Sequence, residues 1–148
     1  SFSEIMRSLD RISSVIDSIN EQVEIYDPVK GQIKMNATAI MISDEPTNPS
    51  ADVKNIAVTK DLFIDRSPCG TGTSGKLATL FAKRKIDLGQ TLVVESITGS
   101  LFHTKLVEEV NLGEKRAVVP ELTGRVFITG MHQFVMDPDD PFKHGFVL

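Results

Sequence analysis

Apolar side chains near the start of the chain recur at the spacing of an amphipathic helix. They lie three or four residues apart, at Phe2, Ile5, Met6, Leu9, Ile12, Val15, Ile16, Ile19 and Val23. This stripe predicts a helix from Phe2 to Val23. Proline disfavours the helical conformation of the residue before it, so the helix is expected to end before Asp27-Pro28.

The rest of the chain has mainly the pattern of strands. Runs rich in β-branched and aromatic residues predict strands at 33–42, 53–59, 91–96, 100–108, 115–119 and 124–129, separated by glycine and proline. One helical pattern interrupts them after Gly75 and is expected to end in the basic run Lys83-Arg84-Lys85. The tail from Met136 contains Asp-Pro twice and is expected to be extended. Together these elements predict an α+β fold, a mixed, mostly antiparallel sheet around one central helix.

Composition narrows the function classes. The 148 residues, 41% of them hydrophobic, are enough for one globular domain. A net charge of −4 with scattered Lys and Arg argues against nucleic acid, and no apolar run reaches the ~18 residues that cross a membrane. Without a signal peptide pattern, and with a single cysteine, the chain is expected to be cytoplasmic. The three histidines are not at metal-ligand spacing, so no metal site is expected.

The segment DRSPCGTGTSGK, residues 65–76, is the main candidate for chemistry. Gly70 and Gly72 let the backbone turn and expose amide groups. A helix begins directly afterwards, and its unpaired N–H groups and positive dipole end favour an anion. Cys69 lies at the same positive end, where the thiolate form of a cysteine is favoured. A carboxylate could therefore bind beside a thiolate, while Asp65 could hold a cationic amino group.

Three other interpretations of this segment remain open. Lone cysteines are often buried and inert. The run from Gly70 to Lys76 matches the phosphate-binding pattern GxxxxGK, although the next residue is Leu77 where that pattern requires Ser or Thr. A nucleophilic Cys–His pair is also compatible with the sequence, with His103, His132 or His144 as the partner of Cys69.

The motif DRSPCGTGTS, residues 65–74, resembles the second active-site motif of the proline racemase family, which includes 4-hydroxyproline epimerases. KLATLFAKRKIDLGQTLVVESITGSLF (76–102) and VVPELTGRVFITGMHQFVMDPDDPFKHGFVL (118–148) are similar to the same family. The resemblance is loose from Gln22 and close from Val53 to Leu148. It implies half of a diaminopimelate-epimerase-like fold, with a sheet curled around a helix that starts near Thr71. Gly75 stands where alanine is usual in the family.

The resemblance implies a cofactor-independent amino-acid racemase that uses two thiols on opposite faces of the substrate α-carbon. Carried over by position, Cys69 is one thiol, the amides of Gly70 and Thr71 bind the carboxylate, and Asp65 contacts the amino group. The family's other cysteine belongs to an earlier motif, and this chain has one cysteine. Residues 1–26 are therefore expected to be a connecting helix and residues 27–148 the C-terminal half of a longer enzyme, inactive alone.

The resemblance also bears on the substrate. The family's 3-hydroxyproline dehydratases usually have Thr at the position of Cys69, and its hydroxyproline epimerases often have His at the position of Ala57. ESITGSLF, residues 95–102, is closer to proline racemases. Proline is therefore the expected substrate, with 4-hydroxyproline 2-epimerase activity or a non-catalytic, amino-acid-binding fragment as alternatives. The expected partners are this small molecule, the N-terminal half and a second copy in a homodimer, without a cofactor.

Overall fold

The computed structural model of the protein describes residues 7–27, 29–31 and 33–147. Its helices and strands follow in this order: α1 (Leu9–Gln22), β1 (Ile25–Tyr26), β2 (Lys34–Met35), β3 (Ala39–Asp44), β4 (Val53–Thr59), α2 (Gly70–Ala82), β5 (Thr91–Glu95), β6 (Leu101–Leu112) and β7 (Lys115–Gly124). Helix α1 lies within the predicted helix, whose first residues, 2–6, fall outside the described residues.

Five strands form the main sheet in the order β3-β4-β5-β6-β7. Every neighbouring pair is antiparallel except β4 and β5, which are parallel and are connected through α2. A parallel pair needs a crossover connection of this kind, because a tight turn cannot join the ends of two parallel strands. The prediction of a mixed, mostly antiparallel α+β fold is confirmed.

The two helices cover opposite faces of this sheet. Side chains alternate between the faces of a strand, so β4 directs Ile56 and Val58 to one face and Asn55 to the other. On the first face, α1 packs through one core cluster: Ile12, Ile16, Ile56 and Val58. On the second face, α2 packs through another: Leu77, Ile86 and Leu106. The start of α2 therefore lies over the face of β4 that carries Asn55.

The single strand predicted from Ile33 to Ile42 is divided into β2 and β3. The Asn20 side chain on α1 causes the break, because it binds both backbone groups of Ala37: its Nδ2 donates to the carbonyl at 2.9 Å and its Oδ1 accepts from the amide at 2.7 Å. Ala37 is thus paired with a helix instead of a strand. A pattern of apolar residues cannot reveal such a side-chain contact.

Two other predictions of local structure were wrong. Helix α2 ends at Ala82, so the basic run follows the helix instead of ending it, with Arg84 at φ 54°. Residues 125–129 form no strand, and residues 125–147 lie outside the helices and strands. Their apolar side chains are exposed, with Val126 95% and Ile128 91% accessible. The β-branched pattern is present, but this part of the chain has no strand to pair with.

A buried carboxylate anchors the loop between β3 and β4. Glu95, at the end of β5, accepts hydrogen bonds from the amides of Thr47 and Asn48 (2.6 and 3.0 Å) and from the Thr47 hydroxyl. Burial would raise the pKa of Glu95, but these hydrogen bonds and the nearby charge of Lys54 outweigh burial and lower it to about 2. Glu95 is therefore a structural carboxylate.

Candidate active site

Two side chains shape the turn that leads into α2. The Asp65 carboxylate accepts a hydrogen bond from the Ser67 amide (2.8 Å), and the Ser67 hydroxyl accepts one from the Cys69 amide (3.1 Å). The Asp65 amide donates to the carbonyl of Ala57 on β4 (3.1 Å). These bonds fix the turn against the central sheet, and they give Asp65 a structural contact that the sequence did not predict.

The loop between β5 and β6 holds the same turn from another side. The hydroxyls of Thr98 and Ser100 both donate to the carbonyl of Arg66, at 2.6 and 3.2 Å. Ser96, which is fully buried, places its hydroxyl 2.9 and 2.8 Å from these two hydroxyls and can donate to either. No role was predicted for these three residues. The available signal was a cluster of Ser and Thr within ESITGS, residues 95–100.

Cys69 is the N-cap of α2. Its thiol sulfur accepts a hydrogen bond from the Gly72 amide at 3.4 Å, and its backbone has φ 64° and ψ 115°. A positive φ is uncommon for a residue with a side chain, and such strained backbones cluster at functional sites. In the described part of the chain, the amides of Gly70 and Thr71 have no hydrogen-bond acceptor. The thiol therefore lies at a helix end with two donors free to bind an anion.

A chain of polar side chains that sequence analysis missed lies behind Cys69. The Thr73 hydroxyl donates to the carbonyl of Pro68 (2.8 Å) and accepts from Asn55 Nδ2 (3.3 Å). Lys76 Nζ donates to Asn55 Oδ1 (3.1 Å) and to the Ser43 hydroxyl (2.6 Å). Burial lowers the pKa of Lys76. The spacing of positions 69, 73 and 76 is the i, i+4, i+7 signal of one helix face, which could have pointed to this chain.

The structure bears on two alternative interpretations of the segment. Residues 70–75 belong to α2 and do not form a loop, and Lys76 Nζ is bound to Asn55 and Ser43. A phosphate-binding loop of the GxxxxGK type therefore does not form. Among the described residues, the thiol of Cys69 has the Gly72 amide as its hydrogen-bond partner and no histidine.

Cys69 is half-buried, and the adjoining Gly70 and Thr71 are exposed. One groove of about 560 Å³ lies between the end of α2 and β7, and another of about 390 Å³ lies beside α1 and β3. Neither groove includes residues 65–72. The described residues contain no cluster of three or more His, Cys, Asp or Glu able to hold a metal ion. None of the helices described is long and apolar enough to cross a membrane.

The proline racemase family model matches residues 3–147. The chain belongs to the proline racemase family. It is 49% identical over 132 residues to a proline racemase of Clostridioides difficile, with 89% of this chain covered. It is also 41% identical over 130 residues to a trans-3-hydroxy-L-proline dehydratase of Bacillus thuringiensis subsp. konkukian. The chain spans about 39% of the length of each of these two relatives.

Solved structures of the family agree with the fold. A hydroxyproline epimerase from Agrobacterium vitis, solved with bound trans-4-hydroxy-L-proline, matches with a TM-score of 0.75 and 34% identity. The match covers 96% of this chain and 40% of that protein. The resemblance in the sequence and the diaminopimelate-epimerase-like fold it implied are thus confirmed. The roles carried over to Asp65, Cys69, Gly70 and Thr71 stay predictions.

Proposed function

We propose that the complete protein is a proline racemase and that Cys69 exchanges the proton on the substrate α-carbon. The observation that carries this proposal is the position of the thiol at the start of α2, beside the free amides of Gly70 and Thr71. These groups provide a base next to a carboxylate-binding site. Asp65 lies at the entrance of the same turn, where its carboxylate would attract the substrate amino group.

The reaction follows from the acidity of the α-carbon. The α-hydrogen of an amino acid is a very weak acid, and the carboxylate must be partly neutralised before a base can remove it. Amide donors from Gly70 and Thr71 would stabilise the charge that develops on the carboxylate as the C–H bond breaks. The Cys69 thiolate takes the proton and becomes a thiol, while the electron pair stays on the α-carbon and carboxylate. A second thiol then protonates the opposite face.

We propose that the second thiol belongs to an N-terminal half, with residues 1–26, which contain α1, as the connecting segment and 27–148 as the C-terminal half-domain. Three observations support this arrangement. The chain has one cysteine. It spans about 39% of the length of its relatives. Its residues 125–147 expose many apolar side chains, which an N-terminal half would bury. The exposed surface beside Cys69 would then become a closed site.

Sequence identity and the β4 residue Ala57 both favour proline as the substrate. The proline racemases of C. difficile and Acetoanaerobium sticklandii are 49% and 46% identical to this chain, against 41% for the trans-3-hydroxy-L-proline dehydratase of Bacillus thuringiensis subsp. konkukian. Ala57, where epimerases often have His, lies on the same face of β4 as Asn55, towards α2. Its small side chain adds no group that would bind a 4-hydroxyl. Epimerisation of 4-hydroxyproline remains the second candidate, favoured by the substrate in the Agrobacterium vitis structure.

The experiment that tests the proposal is separation of stereoisomers after incubation of the complete protein with L-proline or trans-4-hydroxy-L-proline. We expect L-proline to reach an equal mixture of D and L forms, faster than hydroxyproline is epimerised. Cys69→Ser should lose this conversion, whereas Thr79→Ala, an exposed change on the same helix, should retain it. Faster epimerisation of hydroxyproline would favour the second candidate, and no conversion of either substrate would refute the proposal.

A further inference from the structure

The polar chain behind Cys69 has a direction that is set by Lys76. An ammonium group can only donate hydrogen bonds, so Asn55 must turn its carbonyl oxygen towards Lys76 Nζ. The Asn55 amide nitrogen then faces Thr73 and donates to its hydroxyl. Because that hydroxyl has a single proton, Thr73 donates it to the carbonyl of Pro68. The Ser43 hydroxyl, which accepts from Lys76 Nζ, also donates to Asn55 Oδ1 (3.1 Å) and reinforces this direction.

The end of this chain is the peptide that enters Cys69. The Pro68 carbonyl belongs to the bond between Pro68 and Cys69, and Pro68 is fully buried. Asn55 and Thr73 are also inaccessible to solvent. A buried hydrogen bond to this carbonyl limits the rotation of the peptide and therefore helps to hold Cys69 at its positive φ. The direction of the thiol, and of the amides that follow it, depends on this peptide.

Lys76 also brings a positive charge that no carboxylate neutralises. Its ammonium contacts a hydroxyl and a side-chain amide, and it forms no ion pair within the described residues. Positions 69 and 76 are two helical turns apart on one face, about 10 Å along the axis. At this distance a partly desolvated charge still favours an anion at the thiol.

We propose that Lys76 is a positioning residue for Cys69, acting through Asn55 and Thr73 on the Pro68–Cys69 peptide while its charge favours anions at the thiol. Its meaning for catalysis rests on the proposed function, but the geometry exists without a substrate. The lysine therefore has two separable effects, one on the orientation of the turn and one on the electrostatic potential. Thr73 shares the first effect and not the second.

The test is the rate at which Cys69, as the only cysteine of the chain, is alkylated at low ionic strength. The rate with neutral iodoacetamide reports the reactivity of the thiol. The ratio of the rate with anionic iodoacetate to the rate with iodoacetamide reports the local electrostatic potential. We expect Thr73→Val to slow iodoacetamide about threefold, the worth of one hydrogen bond, with an unchanged ratio. Lys76→Met should slow the reaction with iodoacetamide by a similar factor, and it should lower the ratio of the iodoacetate rate to the iodoacetamide rate about 2- to 10-fold.

Conservative variants separate this role from general damage to the fold. Thr73→Ser and Lys76→Arg keep the hydroxyl and the charged donor, so both should restore rates close to those of the unmodified chain. Circular dichroism confirms that each variant is folded. A folded Lys76→Met variant with unchanged alkylation rates and an unchanged ratio would overturn the proposal. If Lys76→Met does not fold, an unchanged iodoacetamide rate in Thr73→Val would overturn it. No substrate is involved, so failure here would not reflect on the racemase proposal.

Discussion

Replacing Gly75 by alanine tests whether the glycine-rich segment after Cys69 is helical. Gly75 is inside α2, which starts at Gly70, and a Cβ atom added at Gly75 would meet no atom within 4 Å. Alanine is preferred to glycine inside a helix by up to about 1 kcal/mol, mainly because glycine loses more conformational freedom on folding. We therefore expect Gly75→Ala to increase the free energy of unfolding by about 0.5–1 kcal/mol.

The assay is urea or thermal unfolding followed by circular dichroism, where this gain corresponds to roughly 2–3 °C for a chain of this size. Gly72→Ala is the matched control on the same helix, because a Cβ there would lie 2.1 Å from the Met41 side-chain methyl. Met41 would have to move, so we expect Gly72→Ala to be no more stable than the unmodified chain. A Gly75→Ala variant that is less stable would refute the helical assignment of this segment.

Three further predictions concern other contacts. Because the pKa of Glu95 falls from 4.5 to about 2 on folding, the stability it contributes is complete above about pH 4.5 and is lost as the pH falls towards 2. Glu95→Gln should therefore be less stable at pH 7 and show a flatter acid dependence in urea unfolding across this range. Asn20→Ala leaves both backbone groups of Ala37 without their partner and should cost about 1–3 kcal/mol, with faster hydrogen exchange at the Ala37 amide. Cys69→Gly removes the conformational cost of a positive φ at residue 69. Its free energy of unfolding should equal that of the unmodified chain or exceed it by up to about 1 kcal/mol, whereas Cys69→Ala should not be more stable than the unmodified chain.

Much of the fold follows from local patterns in the sequence. The apolar stripe that includes Ile12 and Ile16 has the 3.6-residue period of a helix and predicted α1. Runs of β-branched residues predicted the bounds of β4 and β5 closely. The failures occur where a tertiary contact decides. Asn20 divides one predicted strand by binding Ala37, a residue 17 positions away. The run 124–129 has strand propensity, but propensity forms a strand only when a partner is available to pair with it.

The sequence predicted Cys69 and the amides that follow it, but not the side chains that hold this turn in place. Glycines after a cysteine, followed by a helical pattern, indicated that Cys69 lies near a helix start, because helix ends and glycine have strong local signals. The pattern predicted a helix after Gly75, whereas α2 begins at Gly70 and includes the glycines. The support comes from side chains distant in sequence. Asn55 and Ser43 are 21 and 33 residues from Lys76, and Thr98 is 32 residues from Arg66. Only the folded sheet brings these groups together.

The most direct test of the central claim is α-proton exchange of L-proline in D₂O, measured by mass spectrometry of the proline recovered from the complete protein. We predict deuterium at the α-carbon together with formation of D-proline, because the second thiol carries deuterium from the solvent and delivers it to the opposite face, while the first thiol keeps the hydrogen it removed. Cys69→Ser should lose inversion and therefore the deuterium-labelled D-proline. Unchanged incorporation and inversion in a folded Cys69→Ser variant would contradict the assignment of Cys69 as the proton-transferring thiol.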